Sequence, residues 1–554
     1  MKKTKFFSLV IVLGLFIFFI QYDGAAKAWG IPESDSREFA KSVTSAPGKT
    51  LYVDGTQADI RITGTDQNQI SVQAVVEVGD SSEEFLQQFL ADTSLVLEPY
   101  GDGFRLKLRT PRDQRLDFER YRREVSGSRK RIPRRKLRFS LSAEIQITVP
   151  SEQSLTVSNR YGDIHIKGVG GTFYIDNSSG EVEINRCRGE LDLRNSYAEV
   201  SVVDFTGPVF INNSSGAINL RNIAGKTEVH NSYKPINFDG IGSSLIIKSN
   251  SSEVIGRIVK GDCQVTTSYR KVDISGVEGR LEIEAPSSSV SVRAIRKEAV
   301  IKNSYNPVKV EDVGSFLRVH GQSSMVTAMD ISKDVYIRSS YKEISVGGIG
   351  GSLEIDGSSS SVTARDVKGN ATIRSSYRDI LVERVDGWVD IDGNSCPVTV
   401  SDIKQQVDIT SSYKLIQVKR VGGGLRVDGG SCSVTADDIG GDVDIVNSYK
   451  YVILKQTSGS IVVRGSSSPI EVSRIKRLPA DGKIELTTTY KQIQLALPED
   501  ADVTLTATTR YGRIQSDFPV YLDSEDNKKI QIKLGKGNTI VRLETSGNII
   551  LKKE

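Results

Sequence analysis

Histidine, the residue most often used for proton transfer and metal binding, occurs only three times in this chain, as His165, His230 and His320. Tyrosine is placed very differently. It falls at 161, 197, 233, 269, 305, 341, 377, 413 and 449, at an unbroken spacing of 36, and serine falls halfway between, from Ser179 to Ser467. Six of these tyrosines precede a cation: Tyr233-Lys234, Tyr269-Arg270, Tyr341-Lys342, Tyr377-Arg378, Tyr413-Lys414 and Tyr449-Lys450. Such a series is a candidate binding stripe for a repeating ligand, because aromatic rings suit the faces of sugars. The competing reading is steric: a bulky Tyr at a coil corner packs over the small Ser above and below, its hydroxyl bonded to turn backbone. The steric reading is the simpler one, since strict alternation then needs no ligand.

The elements that place these residues follow from the count. Tyr161 to Ser467 is seventeen complete units of 18 residues. A short fixed period over some three hundred residues marks a repeat array, in which each unit buries its apolar face against its neighbours. With the Tyr or Ser as position zero, the unit from Tyr341 has Ile344, Val346, Ile349, Leu353 and Ile355 at three, five, eight, twelve and fourteen. Aliphatics two apart indicate strands with one face inward. Position ten is Gly in twelve of the seventeen units, which marks a turn with positive φ or close backbone approach. Each unit therefore reads as one coil of an all-β, parallel β-solenoid. A hexapeptide β-helix fails because position two is often charged, as at Glu199, Lys271 and Glu343, and no unit carries the calcium-binding nonapeptide. The handedness of parallel crossovers points to a right-handed coil.

Register also decides the chemistry. The histidines occupy positions four, fifteen and fifteen in coils three to eight steps apart, so they cannot meet. Position seven reads Asp312, Asp330, Gly348, Asp366, Arg384, Asp402, Arg420 and Asp438, and position fifteen reads Arg338, Asp356, Arg374 and Asp392. Alternating signs about 4.8 Å apart predict exposed cross-coil ion pairs more readily than an acid–base pair. No Cys/His spacing suits a metal. A catalytic site, a cofactor and a metal are all unexpected, and the chain reads as a non-enzyme.

The 554 residues are 38% hydrophobic and 26% charged, which suits a soluble chain with ample core. Met1 to Lys5 is basic, Phe6 to Ile20 is largely apolar, and Ala26-Lys27-Ala28 supplies a cleavage pattern. Residues 1–28 are read as a signal peptide, with an uncleaved anchor as the alternative, and the mature chain as extracytoplasmic: periplasmic, surface-borne or secreted. Without Lys2, Lys3, Lys5, Lys27 and Asp23 the net charge falls from +4 to near +1. Residues 29–160 form an N-terminal β region. In it, 81–93 has helical spacing of Phe85, Leu86, Phe89 and Leu90 and is expected to cap the solenoid edge. An insertion at 112–138 holds twelve Lys or Arg against four acids, including Arg129-Lys130-Arg131 and Arg134-Arg135-Lys136. It reads as a solvated loop or as a contact to an anionic envelope surface. Repeats continue from 161 to 515, and 516–554 supplies capping strands. No apolar tail follows, which counts against a self-sufficient autotransporter. Cys187 and Cys263 fall at core positions, and Cys396 and Cys432 lie two coils apart, about 9.6 Å, so all four should be free thiols.

Tyr161-Gly162-Asp163-Ile164-His165-Ile166, the repeated Ser-Gly and Ser-Ser steps before alternating aliphatics, and the ending Thr545-Ser546-Gly547-Asn548-Ile549-Ile550-Leu551 resemble a broad family of exported bacterial β-strand-repeat proteins of unknown function regarded as adhesins. The resemblance runs from about residue 50 to 554. It implies a solenoid and an extracytoplasmic place, and supplies no catalytic residues. The expected function is a non-enzymatic scaffold or surface-interaction protein, meeting a cell-surface glycan, a protein or an anionic envelope surface and no nucleic acid, without a transmembrane span in the mature chain. The alternative is a β-helix that binds or cleaves polysaccharide.

Overall fold

A computed structural model describes residues 34–55, 57–79, 81, 83–114, 139–478, 481–519, 521–522 and 528–554. The expected signal peptide lies outside the described residues, as do Arg129, Lys130, Arg131, Arg134, Arg135 and Lys136 of the basic segment. The chain divides into two compact units. Of the described residues, the smaller holds 34–37, 76–79, 81, 83–94, 110–114 and 139–142. Its helix, Glu83–Ala91, buries Phe85, Leu86, Phe89 and Leu90, the residues whose spacing announced it. Phe139 meets Phe85 and Phe89 at ring distances of 5.5 and 5.1 Å. The Arg37 guanidinium donates to the Leu90 and Thr93 carbonyls, satisfying acceptors that a helix end leaves open.

The larger unit, residues 38–75, 95–109 and 143–554, is the parallel β-solenoid that the 18-residue period requires. Residues three to eight of each coil, such as Ile344–Ile349, build one sheet, and residues twelve to fifteen, such as Leu353–Asp356, build the other. Pairing is in register at a step of 18: Ile344 lies on Val362 and Leu353 on Ala371. The inward side chains Ile344, Val346, Ile349, Leu353 and Ile355 are no more than 2% exposed.

Position seven explains how five and eight can both face inward despite an odd separation. In eighteen successive coils, from Gly168 to Arg474, its φ lies between +52° and +80°. This left-handed residue drops out of the ladder and turns the strand, which resets the alternation. Gly, Asp or Asn fills eleven of the eighteen places, the types that accept that conformation most readily. The glycines at position ten have a different reason. Only Gly171, Gly189 and Gly207 among them have positive φ. Elsewhere the adjoining coil leaves no room: a Cβ on Gly369 would sit 2.6 Å from the Gly351 carbonyl carbon.

Both ends of the stack depart from chain order. At the start, Thr50–Asp54 and Asp59–Thr65 form a coil inserted between the one holding Gly103–Arg109 and the one holding Ser154–Ser158 and Ile164–Lys167. At the finish, Thr539–Thr545 and Ile549–Lys553 sit between Lys483–Thr488 with Ile493–Leu497 and Val503–Thr509 with Ile514–Ser516. The segment read as closing strands is thus an inner coil, and Lys529–Leu534 covers the outermost one by antiparallel pairing with Val503–Thr509. Tucking the last strands one coil inward gives them pairing on both edges, where a chain end would otherwise fray.

Candidate tyrosine and lysine surface

The corner around position zero is built in two ways: early coils, Tyr and Ser alike, turn an Asn inward from two residues before zero, as at Asn177 and Asn195, and the later coils alternate. In coils carrying Tyr, a polar side chain two residues earlier turns inward: Asn195, Asn231, Thr267, Ser339, Ser375 and Ser411 are all buried. These groups stitch the corner from inside. Asn231 Nδ2 donates to the Gly216 and Lys234 carbonyls at 3.1 and 3.0 Å, and Ser375 Oγ donates to Ser360 O at 2.7 Å. In the later Ser coils that place is glycine, and the inward side chain comes from one residue after zero. Gly357 leaves space for Ser360, Gly393 for Cys396 and Gly429 for Cys432, whose Cβ atoms would lie 3.3–3.5 Å from an added Cβ. Cys396 and Cys432 are therefore interior corner residues. All four cysteines are free and buried, as their register requires. Burial pushes the Cys263 thiol up to about 12.

With the corner filled from inside, every column tyrosine lies outside. The nine counted tyrosines are 60–74% exposed, so the packing of Tyr over Ser expected from large–small alternation covers less than half of each one. The steric alternation exists, but it is internal and fitted by Gly against Ser or Cys. Among the described residues no column tyrosine hydroxyl hydrogen-bonds to the protein. Tyr490 and Tyr511 extend the column, 68% and 71% exposed. In space Ser546 lies between them, because the coil of Ile549 separates those of Ile493 and Ile514. Tyr and Ser therefore keep alternating where the sequence count breaks. Eleven rings at two-coil steps of about 9.6 Å cover roughly 96 Å. Sequence reasoning missed the last two because it followed chain spacing through a region where stacking order differs.

Four of the rings stand on strained backbone. Tyr269, Tyr341, Tyr377 and Tyr413 have φ of +64° to +68°, a region aromatic residues enter rarely. Behind each sits a cation that the sequence singled out. Lys234, Arg270, Lys342, Arg378, Lys414 and Lys450 are exposed and, among the described residues, make no ion pair, and Lys491 behind Tyr490 repeats the pattern. Other faces of the solenoid are paired across coils: Arg384 with Asp366 at 2.6 Å, Arg420 with Asp402 at 2.5 Å and Arg338 with Asp356 at 3.6 Å. Arg374 departs from its expected column and reaches Glu354 at 3.7 Å. These carboxylates titrate accordingly: the hydrogen bond from Arg384 holds Asp366 below its ordinary range, and Arg420 does the same to Asp402. A polar groove of about 350 Å³ runs just before the tyrosine positions, floored by Ser358, Ser376, Asn394 and Ser412.

The histidines stay apart. His165 lies against Glu183 at 3.1 Å and His230 against Glu228 at 2.9 Å, while the His320 ring lies tilted at 5.6 Å from that of Tyr336. Among the described residues no group of three His, Cys, Asp or Glu side chains is placed to hold a metal, and no helix is long and apolar enough to cross a membrane. One feature had no signal in the repeat. On the outer face of the second sheet, Phe316, Tyr336 and Trp388 border a cavity of about 510 Å³ floored by Ser352, Asn370 and Thr372. Asp390, two residues beyond Trp388, is held above its ordinary value by burial and by Asp408 in the next coil.

No protein-family model matches this chain, and no curated protein does. Two crystal structures align with it. A "putative cell adhesion protein" from Clostridium sporogenes is 12% identical, over 47% of this chain and 99% of its own, with a TM-score of 0.18. A "putative lipid binding protein" from Parabacteroides distasonis is 11% identical, over 80% of this chain and 97% of its own, with a TM-score of 0.12. Likeness at this level carries no argument about function.

Proposed function

We propose that this protein is a non-enzymatic, exported scaffold that meets a surface through its tyrosine column, an adhesin-like role. The observation that carries this reading is the column itself: eleven rings, none less than 60% exposed, repeated at every second coil of one solenoid. An isolated exposed aromatic needs no explanation, but an aligned series of them marks an interaction face. A row of identical contacts on a stiff support also gains from multivalency, since each contact raises the effective concentration for the next. Export rests on the basic and apolar start of the chain with its Ala26-Lys27-Ala28 pattern.

The test compares the full chain with a variant in which the column tyrosines become serine, the residue that already fills the same corner in alternate coils. Adsorption to purified cell-envelope fractions should drop at least tenfold while the circular dichroism spectrum is unchanged. Equal adsorption would remove the column from the function. N-terminal sequencing of exported protein should begin at Trp29.

A second reading, a polysaccharide-active chain, draws on the cavity bordered by Phe316, Tyr336 and Trp388 and on the raised carboxyl of Asp390. Release of reducing ends from cell-wall or capsular glycans, abolished by Asp390→Asn, would favour it over the scaffold.

A further inference from the structure

The tyrosine column is not uniform along its length, and the difference bears on what it binds. Near the middle, acids stand close to the rings: Glu343 follows Tyr341-Lys342 and Asp379 follows Tyr377-Arg378. From Tyr413 onward this changes. In each coil from Tyr413 to the end of the stack, the four residues from one before position zero to two after it contain no Asp or Glu. They do contain Lys414, Lys450 and Lys491, each beside its tyrosine, and the last coil adds Arg510 and Arg513 around Tyr511. Lys414, Lys450 and Lys491 are exposed and, among the described residues, without a carboxylate partner. The Arg510 guanidinium lies over the Tyr511 ring, 5.2 Å from its centroid. Tyr451, 40% exposed, adds a second ring beside Tyr449.

We infer that this carboxyl-terminal stretch of the column, from Tyr413 to Tyr511, is a binding track for a linear acidic polysaccharide lying parallel to the stack. The inference rests on the reading of the column as the contact face and names its ligand class. Rings about 9.6 Å apart offer a platform to every second sugar of an extended chain, and the neighbouring lysines meet its carboxylates or sulfates. Between platforms the corner is low: Ser431, Ser467 and Ser546 occupy it, so a puckered chain can pass without a clash. The unpaired state of the cations carries the charge argument. On other faces of this solenoid opposite charges neutralise each other across coils, whereas along the column the cations are left for an outside partner, and from Tyr413 onward no adjacent acid offsets them. Single-stranded nucleic acid is the other polyanion that stacks on aromatics, but its binders track the backbone in a groove, and these rings stand on an outer corner.

The experiment uses the full chain and measures co-sedimentation or titration calorimetry with polygalacturonate and hyaluronate as acidic probes, dextran as the neutral one and poly(dT) as the other polyanion. Acidic polysaccharide should bind at least about tenfold more tightly than dextran and poly(dT), and the preference should shrink as salt rises. A variant with Lys414→Gln, Lys450→Gln and Lys491→Gln should lose about tenfold in affinity for the acidic probes only. One with Tyr413→Ser, Tyr449→Ser and Tyr490→Ser should lose a similar factor, while Tyr161→Ser with Tyr197→Ser should change binding less than twofold. Binding that prefers dextran or poly(dT), or that ignores the lysine variant, overturns the inference. If envelope adsorption still requires the tyrosines in that case, the column remains a contact face for another partner. If adsorption is indifferent to them as well, both readings fall.

Discussion

Replacing Tyr413 by asparagine separates a ring held for the fold from one held for an outside partner. Tyr413 has φ +68° and is 70% exposed. A left-handed conformation costs an ordinary residue about 1–2 kcal/mol, and asparagine is among the few types that adopt it readily. Against that relief stands the lost contact of the ring. About a third of a ring burying ~200 Å² when fully enclosed, part of it kept by the asparagine, is worth ~1 kcal/mol at ~25 cal/mol per Å². Tyr413→Asn should therefore be near neutral. Tyr449 is the internal control, 66% exposed but without positive φ. Tyr449→Asn loses the same contact without relief, so it should be the less stable variant by about 1 kcal/mol. A repeat array need not unfold in one step, so the measurement is native-state hydrogen exchange on peptides covering residues 398–421 and 434–457. If Tyr413→Asn lowers local stability by more than about 2 kcal/mol, the ring is structural and the argument for an outside partner loses its basis.

Further outcomes concern the interior. Asn195 donates to the Gly180 and Ala198 carbonyls at 3.2 and 3.1 Å, so Asn195→Leu should cost about 1–3 kcal/mol, seen as faster exchange in residues 182–213. At Gly216 an added Cβ would overlap the Ala198 carbonyl oxygen, a backbone atom that cannot swing aside. Gly216→Ala should therefore destabilise those coils by about 1–3 kcal/mol in the same assay. The four thiols should resist alkylation in the native protein and all react in denaturant without reductant; a Cys396–Cys432 link would contradict the coil register. Burial raises the Cys263 thiol from 9.0 to about 12, so between those values the folded state holds a proton that the unfolded state releases. Stability should then fall as pH rises through that window, by at most ~1.4 kcal/mol per pH unit from this group. Cys263→Val should flatten the slope in denaturant midpoints taken from pH 8 to 11, and an unchanged slope would rule the thiol out as its source.

The sequence carried the strands, their register and the core almost completely, because an aliphatic every second residue and a step of 18 admit little else. Val362 can stack only on Ile344 once the period is counted. Corners were harder. A period of two does not run through a turn, so nothing in the local pattern says whether Tyr377 or Ser375 points inward, and in the structure it is the serine. The clue lay in a longer correlation: glycine two before zero in the same coils that carry Ser or Cys one after it. Position seven had its own sign in Asp, Asn and Gly, which charge-column reasoning took for ion pairing alone. Arg384 and Arg420 do pair there, yet the common property of the column is its left-handed backbone. The exchanged order at both ends was not legible, since Tyr490 and Tyr511 are spaced like successive coils and only long-range pairing inserts Ser546 between them. The cavity beside Trp388 was invisible for a related reason: its walls come from five different coils.

Hydroxyl-radical footprinting with mass spectrometry reads directly whether the tyrosine column is the contact face. With polygalacturonate bound to the full chain, oxidation should fall at Tyr413, Tyr449, Tyr490 and Tyr511 and stay unchanged at Tyr174 and Tyr336 on the outer face of the second sheet. Protection confined to Phe316, Tyr336 and Trp388, or absent from the column, would contradict it.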